Sequence, residues 1–429
     1  MAEYFLGNLS EEEIHKHADA LVPACATLKN ACADHAYSVP ASALYAPFDT
    51  EVIAEMGRLA HEFASVKVVF LSGIGGSSLG ARAVFEMLDG LTPEGMRAKI
   101  EVFETVDPVA LARLPRVLAP YTPEEVVLVV VSKSGETSET RANAEHLLAS
   151  FSEHFGKEVA RARTLVVGDD TSTLLARARE EGVRVFAMPH AVGGRFSVFT
   201  VAGLLPLALA GVPVAQVCAG ARAFLEKNGF AGEMGDTERV RFDAGLLFEA
   251  YHSGLHLHEM MLFHPALLSL GNWYRQLFAE SLGKESASGE RVGFVPLVAL
   301  GSTDLHSVGQ MIFGGAPNRM TTLVSVPEVW RGAPRHEDDG LFALPDLVGK
   351  PVGALMRAIF EGVEATYRAH HLPVRVRSLG ARAEEVGAFL AEHMVQVMLL
   401  GELLSVNTFN QPNVEEYKER TRELLKEGK

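Results

Sequence analysis

The chain has 429 residues, so at roughly 150 residues per domain it holds two or three domains. Apolar residues make up 48% and charged residues 22%, the balance of a globular protein with large cores. Against 54 Asp and Glu stand 39 Lys and Arg, a net charge of −15, which argues against a nucleic-acid or anionic-membrane partner because both call for a basic face. An anionic ligand would have to be held by local amides, hydroxyls and a few cations, against an unfavourable global field.

The three cysteines, Cys25, Cys32 and Cys218, are odd in number and contain no C-x-x-C. Neither a disulfide scaffold nor a zinc knuckle is expected, and a reducing, cytoplasmic compartment is. The N-terminal MAEYFLGNLSEEEIHKHADA lacks a basic region followed by an apolar one, so no secretory signal is expected. Residues 196–221 are uncharged and long enough to cross a bilayer. Pro206 and Pro213 interrupt them, and a buried core helix is the preferred reading over a membrane span.

In chain order, a helical lead occupies residues 1–65. From 66 the pattern turns to short Val/Ile/Leu runs separated by amphipathic stretches: KVVFLSG (67–73), IEVFET (100–105), VVLVVVS (126–132), RTLVVGD (163–169) and VRVFAMP (183–189). Continuous apolar runs of this kind predict parallel strands covered on both faces. Residues 196–230 read as helix and close a first domain, 66–230. A second set follows at HEMMLFHP (258–265), VPLVALGS (295–302), RMTTLVSV (319–326) and PVRVRSL (373–379), with helices predicted over 267–283, 352–370 and 383–404. These form a second domain, 231–400, and a helical C-terminal arm takes 401–429. The expected architecture is two doubly wound α/β/α domains with mainly parallel sheets. Ligands of such sheets bind at the carboxyl ends of the strands.

Two turns carry candidate ligand chemistry. LSGIGGSSLG (71–80) ends a strand and opens a helix, presenting backbone N–H groups and a positive helix end to an anion. Gly73 and Gly75 match a dinucleotide loop, with Glu101 or Glu104 near the end of the next strand, but Ser78 stands at the third glycine position. The hydroxyls of Ser77 and Ser78 favour a compact phosphate monoester. VSKSGETSET (131–140) repeats the strand-to-helix setting with Ser132, Ser134, Thr137 and Ser138 beside free amides, a nest for a dianionic phosphate. No G-x-x-x-x-G-K-[ST] is present, so a nucleoside triphosphate is not indicated. The plain alternative is a helix N-cap at Thr137 or Ser138, which is compatible with a phosphate site.

These two turns resemble the phosphate-binding domain of the sugar isomerase (SIS) superfamily. The longer set resembles the glucose 6-phosphate isomerase family in its shorter bacterial form: GIGGSSLG (73–80), SKSGETSET (132–140), GGRFSVFT (193–200), NWYRQLFAESLGKE (272–285), GSTDLHSVGQ (301–310) and NQPNVEEYK (410–418). The resemblance runs from about 66 to about 420. SKSGET alone is a superfamily-wide signal; the ordered set is specific. It implies an aldose–ketose isomerase interconverting glucose 6-phosphate and fructose 6-phosphate through a cis-enediolate, with no cofactor and no metal.

That chemistry needs a phosphate clamp, ring opening, a base that carries a proton between adjacent carbons, and a fixed charge or donors for the enediolate. The resemblance assigns Glu280 as the base; the residues alone do not separate it from Glu285. Arg195, after two glycines that allow close backbone approach, is implied as the enediolate stabiliser. His306, after the predicted strand 295–302, is implied in ring opening and in coming from a neighbouring subunit, with Lys418 as its partner at the ring oxygen. The phosphate side takes Ser77, Ser132, Lys133, Ser134, Thr137 and Gln411, lined by Gly75, Gly76 and Gly194. Glu136 departs from the family pattern, since many members carry a hydroxyl residue there. It is expected to face away from a phosphate or to pair with a cation. His252, His256, His258 and His264 include no H-E-x-x-H and read as core or solvated histidines rather than metal ligands.

A homodimer is expected if His306 acts in trans. Three alternatives stand beside this reading. Another SIS isomerase would act on mannose 6-phosphate or an amino-sugar phosphate. A non-catalytic sugar-phosphate sensor would be expected to show a DNA-binding domain or a lost base, and a nucleotide-dependent oxidoreductase is weakened by Ser78.

Overall fold

The computed structural model describes residues 3–331, 334–337, 341–342 and 344–427. Twelve strands are found among them: β1 (Glu3–Phe5), β2 (Val68–Ser72), β3 (Lys99–Phe103), β4 (Val126–Val131), β5 (Thr164–Asp169), β6 (Arg184–Met188), β7 (Leu257–Leu262), β8 (Lys284–Glu285), β9 (Arg291–Val292), β10 (Val295–Leu300), β11 (Arg319–Ser325) and β12 (Val374–Ser378). All nine predicted strands are there. The central ones, β2, β4, β5 and β11, are buried along their whole length, which is why they read as unbroken rather than alternating apolar runs.

The first sheet is wholly parallel in the order β3-β2-β4-β5-β6. Its first strand, β2, lies between the second and third, so the connections after β2 and β4 leave in opposite directions and open a crevice at their carboxyl ends. The second sheet runs β1-β12-β11-β7-β10, parallel except for β1. The strand β1 corrects the reading of 1–65 as helical: Glu3–Phe5 pairs antiparallel with Val374–Val376. Three residues are too few to show a strand period, and the tertiary edge of β12 supplies their partners.

One large core joins the two sheets. It includes Val69, Leu71 and Val129 of the first, Met260, Leu262 and Met320 of the second, and the helices packed between them. The 196–230 stretch is two helices, Val201–Ala210 and Val214–Lys227, separated where Gly211 takes φ +88° and Pro213 lacks an N–H. Every residue of Val201–Ala210 is buried, in line with the core-helix reading. Ala383–Leu403 is the one helix among the described residues long and apolar enough to cross a bilayer, and it is mostly buried in the fold. It also carries buried Glu392, which pairs with Arg377 and, at 3.4 Å, with Arg375 of β12.

Candidate active site

The turns after β2 and β4 meet at the crevice of the first sheet. Gly75 holds φ +59°, open to glycine with little strain, and Gly76 lies against the second glycine pair: a Cβ there would stand 2.1 Å from the Gly194 carbonyl carbon. Ser197 Oγ, buried, donates to Gly194 O at 2.7 Å and also contacts Gly76 O at 3.4 Å. Buried Ser72 Oγ donates to Thr140 O at 3.0 Å, tying the end of β2 to the helix that follows the serine-rich turn.

In that turn Gly135 N donates to Ser132 Oγ at 3.2 Å, and Ser132 Oγ lies 3.4 Å from Thr137 Oγ1. Thr137 is the N-cap of the Ser138–Phe155 helix, yet its side chain makes no capping bond, so the first-turn amides are left for another acceptor. Burial pulls the Lys133 ammonium below its ordinary pKa, opposed by the charge of Asp169. Glu136 is exposed, and among the described residues it forms no ion pair. Ser78 donates to Glu104 Oε1 at 2.8 Å, and Arg82 approaches Glu104 Oε2 at 3.5 Å; this carboxylate is engaged within the protein.

Arg195, 3% exposed, is the hub of the site. Its Nε donates to Ser281 Oγ at 2.8 Å, Nη1 to Glu280 Oε2 at 3.3 Å and to Gln411 Oε1 at 3.2 Å, and Nη2 to Asn410 O at 3.1 Å and to Thr408 O. All five N–H donors are used. Burial lowers its pKa, opposed by Glu280, but a guanidinium stays charged at any ordinary pH. The Leu268–Leu282 helix brings Glu280 here near its C-terminal end, and Gln276, one turn earlier, donates to Glu280 Oε1 at 2.9 Å. Gln276 Nε2 also lies 3.0 Å from where a Gly75 Cβ would stand, so this amide spans the gap between the first turn and Glu280.

Arg195, Glu280, Gln411, Gly75, Gly76 and Gly194 are therefore gathered in one chain, beside the turn that holds Ser77. His306 and Lys418 are not joined to them. His306 is exposed on the 3-10 turn Thr303–His306 after β10, and among the described residues its ring makes no hydrogen bond. The Leu268–Leu282 helix starts near the carboxyl end of β7, beside β10, and runs back toward the amino end. Over 12 residues Glu280 is carried roughly 18 Å along the axis from that edge. Lys418 lies on the Glu415–Lys426 helix, paired with Glu415 at 2.8 Å. The four histidines are scattered. His252 packs on Phe248 and His256 on Tyr251. His258 pairs with Tyr274 and Thr322, and His264 accepts from Ala266 N at 3.2 Å.

Reading the sequence did not single out Gln276, Ser281 or Lys284. Gln276 had a usable signal, since residues four apart share a helix face. The partners of Ser281 and Lys284 lie more than eighty residues away, and no local pattern marks them.

The family model of phosphoglucose isomerase matches residues 50–317. A glucose-6-phosphate isomerase of Thermus thermophilus is 34% identical over 383 residues, 88% of each chain. The enzyme of the same name from Caldanaerobacter subterraneus subsp. tengcongensis is 31% identical over 88% of this chain and 84% of its own. Among solved structures, a hypothetical protein of Thermus thermophilus superposes with a TM-score of 0.85 at 30% identity, covering 99% of this chain and 100% of the other. A glucose-6-phosphate isomerase of Chlamydia trachomatis shares the fold, with a TM-score of 0.72 at 20% identity over 93% of this chain and 77% of its own. Matched by the family model over more than half of its length and by relatives above 30% identity over most of it, the chain belongs to the phosphoglucose isomerase family.

Proposed function

We propose that the protein interconverts glucose 6-phosphate and fructose 6-phosphate, the step shared by glycolysis and gluconeogenesis, in the cytoplasm. The observation that carries this reading is the contact of Glu280 with fully buried Arg195, set directly against the glycine turn at the sheet crevice. A carboxylate and a permanent cation, side by side and partly withdrawn from water, are what proton shuttling through an enediolate requires.

In this reading the phosphate is held by Ser77, Ser132, Lys133, Ser134, Thr137 and Gln411. Glu280 takes the C2 proton of the open-chain aldose and returns it to C1, while Arg195 balances the charge that grows on the enediolate oxygens. His306 and Lys418 open the ring by moving a proton to the ring oxygen. The distance between His306 and Glu280 along one chain supports a homodimer in which each site borrows the histidine of the other copy.

The test is to incubate chelator-treated protein with fructose 6-phosphate and to follow glucose 6-phosphate and mannose 6-phosphate in the same samples. Rapid glucose 6-phosphate formation is expected. Binding of fructose 6-phosphate without turnover would overturn the assignment in favour of a sensor or a different SIS substrate.

A further inference from the structure

We infer that Lys284 is a positioning residue for the isomerisation: its ammonium and the Arg195 guanidinium draw the backbone of residues 407–410 into a strap that orients Arg195 and Gln411. This rests on the reading of Arg195 and Glu280 given above.

Lys284 follows Gly283 at the end of the Glu280 helix and lies in β8, paired with Val292. Only 9% exposed, it directs its Nζ at the strap, donating to Asn410 O at 2.6 Å, Asn410 Oδ1 at 3.0 Å and Asn407 O. An ammonium has three donors, so none is left for a substrate. Asn410 O accepts from Lys284 and from Arg195 Nη2 alike, and the next residue, Gln411, accepts from Arg195 Nη1. Two cations thus share one carbonyl, and the negative ends of the strap's peptide dipoles lie between like charges that would otherwise repel.

The strap has other anchors. Thr408 is buried against Gly401, and Phe409 packs on Phe196 with ring centroids 5.2 Å apart. Removing Lys284 is therefore expected to free Asn410 and Gln411 without unfolding the segment. The charged groups acting on Lys284 are Arg195 and Glu280. Burial and then Arg195 push its pKa down to about 8, and Glu280 opposes them. The ammonium holds the strap below that pH and releases it above.

The experiment compares wild type, Lys284→Met and Lys284→Arg by steady-state kinetics against pH and by hydrogen exchange of residues 404–412. Lys284→Met is expected to lower kcat by roughly 10–100-fold, since a small misplacement of the charge beside the reacting atoms is costly. KM should rise by less than kcat falls, because Gln411 is one of several phosphate-binding residues whereas Arg195 acts on the transition state. Exchange in 404–412 should rise. Wild-type kcat is expected to fall as pH rises through about 8; Lys284→Arg keeps the charge, should restore most of kcat, and should move that fall upward in pH. Wild-type kcat in Lys284→Met, or a fall unmoved in Lys284→Arg, overturns the proposal. If Lys284→Met does not fold, the pH profile of Lys284→Arg decides. If wild type itself turns nothing over, the isomerase reading fails, and unchanged exchange in a Lys284 variant would still separately refute the strap.

Discussion

Gly76→Ala tests whether the contact between the two glycine turns sets the geometry of catalysis. The added Cβ would stand 2.1 Å from the Gly194 carbonyl carbon and 2.5 Å from the Arg195 nitrogen, both backbone atoms that cannot rotate away. Contacts shorter than 3.0 Å do not occur, so the turns have to part by roughly 1 Å. Arg195 sits on the displaced turn, and Ser77 follows the substituted residue on the other. A misplacement of this size costs on the order of 10²-fold in rate, or about 3 kcal/mol of barrier. Overpacking adds a stability loss of about 1–3 kcal/mol. A coupled assay from fructose 6-phosphate gives kcat and KM, and a urea melt gives stability. A variant within roughly threefold of wild-type kcat, with an unchanged melt, would show that the turns move apart without consequence for Arg195 and would refute the reasoning.

Glu280→Gln should lower kcat by roughly 10²–10⁴-fold and abolish exchange of the C2 hydrogen with solvent deuterium, followed by NMR, while sugar-phosphate binding persists. Retained exchange would mean that the base is elsewhere. Mixing inactive Glu280→Gln and His306→Ala chains should restore about a quarter of wild-type activity, because half the random dimers carry one intact site of two. No recovery on mixing would place His306 in the same chain as its Glu280. Glu392→Gln removes a charge partner of buried Arg375 and the partner of half-buried Arg377, leaving Arg375 with Asp243 at 3.9 Å, and should cost about 3 kcal/mol in a denaturant melt; a loss under about 1 kcal/mol would show the Glu392 charge to be dispensable. Burial raises the pKa of Asp169, but hydrogen bonds from the Thr171 hydroxyl, the Thr171 N–H and His190 outweigh it and hold the group at about 2. Its unfolded value is near 3.8, so the stability it lends is complete above about pH 4 and is lost as pH falls toward 2. Asp169→Asn should flatten the slope of stability against pH in that window, and an unaltered slope would contradict the assignment.

The sheets were legible because burial on both faces leaves a local mark. A strand such as VVLVVV at 126–131 has no solvent side to alternate with, and five such runs with helix-length gaps imply a parallel sheet. The glycine and serine turns were legible for a similar reason, since close backbone approach and the start of a helix after a strand need particular residue types at fixed offsets. The strand Glu3–Phe5 was not, because its hydrogen bonds belong to β12, more than 360 residues away in the chain.

The site divides along the same line. Sequence by itself determined which residues carry ionisable or hydrogen-bonding groups, and the ordered motifs determined the family. Only the tertiary structure decided that Arg195, from one turn, spends its five donors on residues 280, 281, 408, 410 and 411, and that Lys284 shares one of those acceptors. It alone decided that the helix after β7 carries Glu280 away from the edge where His306 emerges. Hydrogen bonds and charge contacts act over a few ångströms, and only the folded chain brings groups from opposite ends of the sequence within that range.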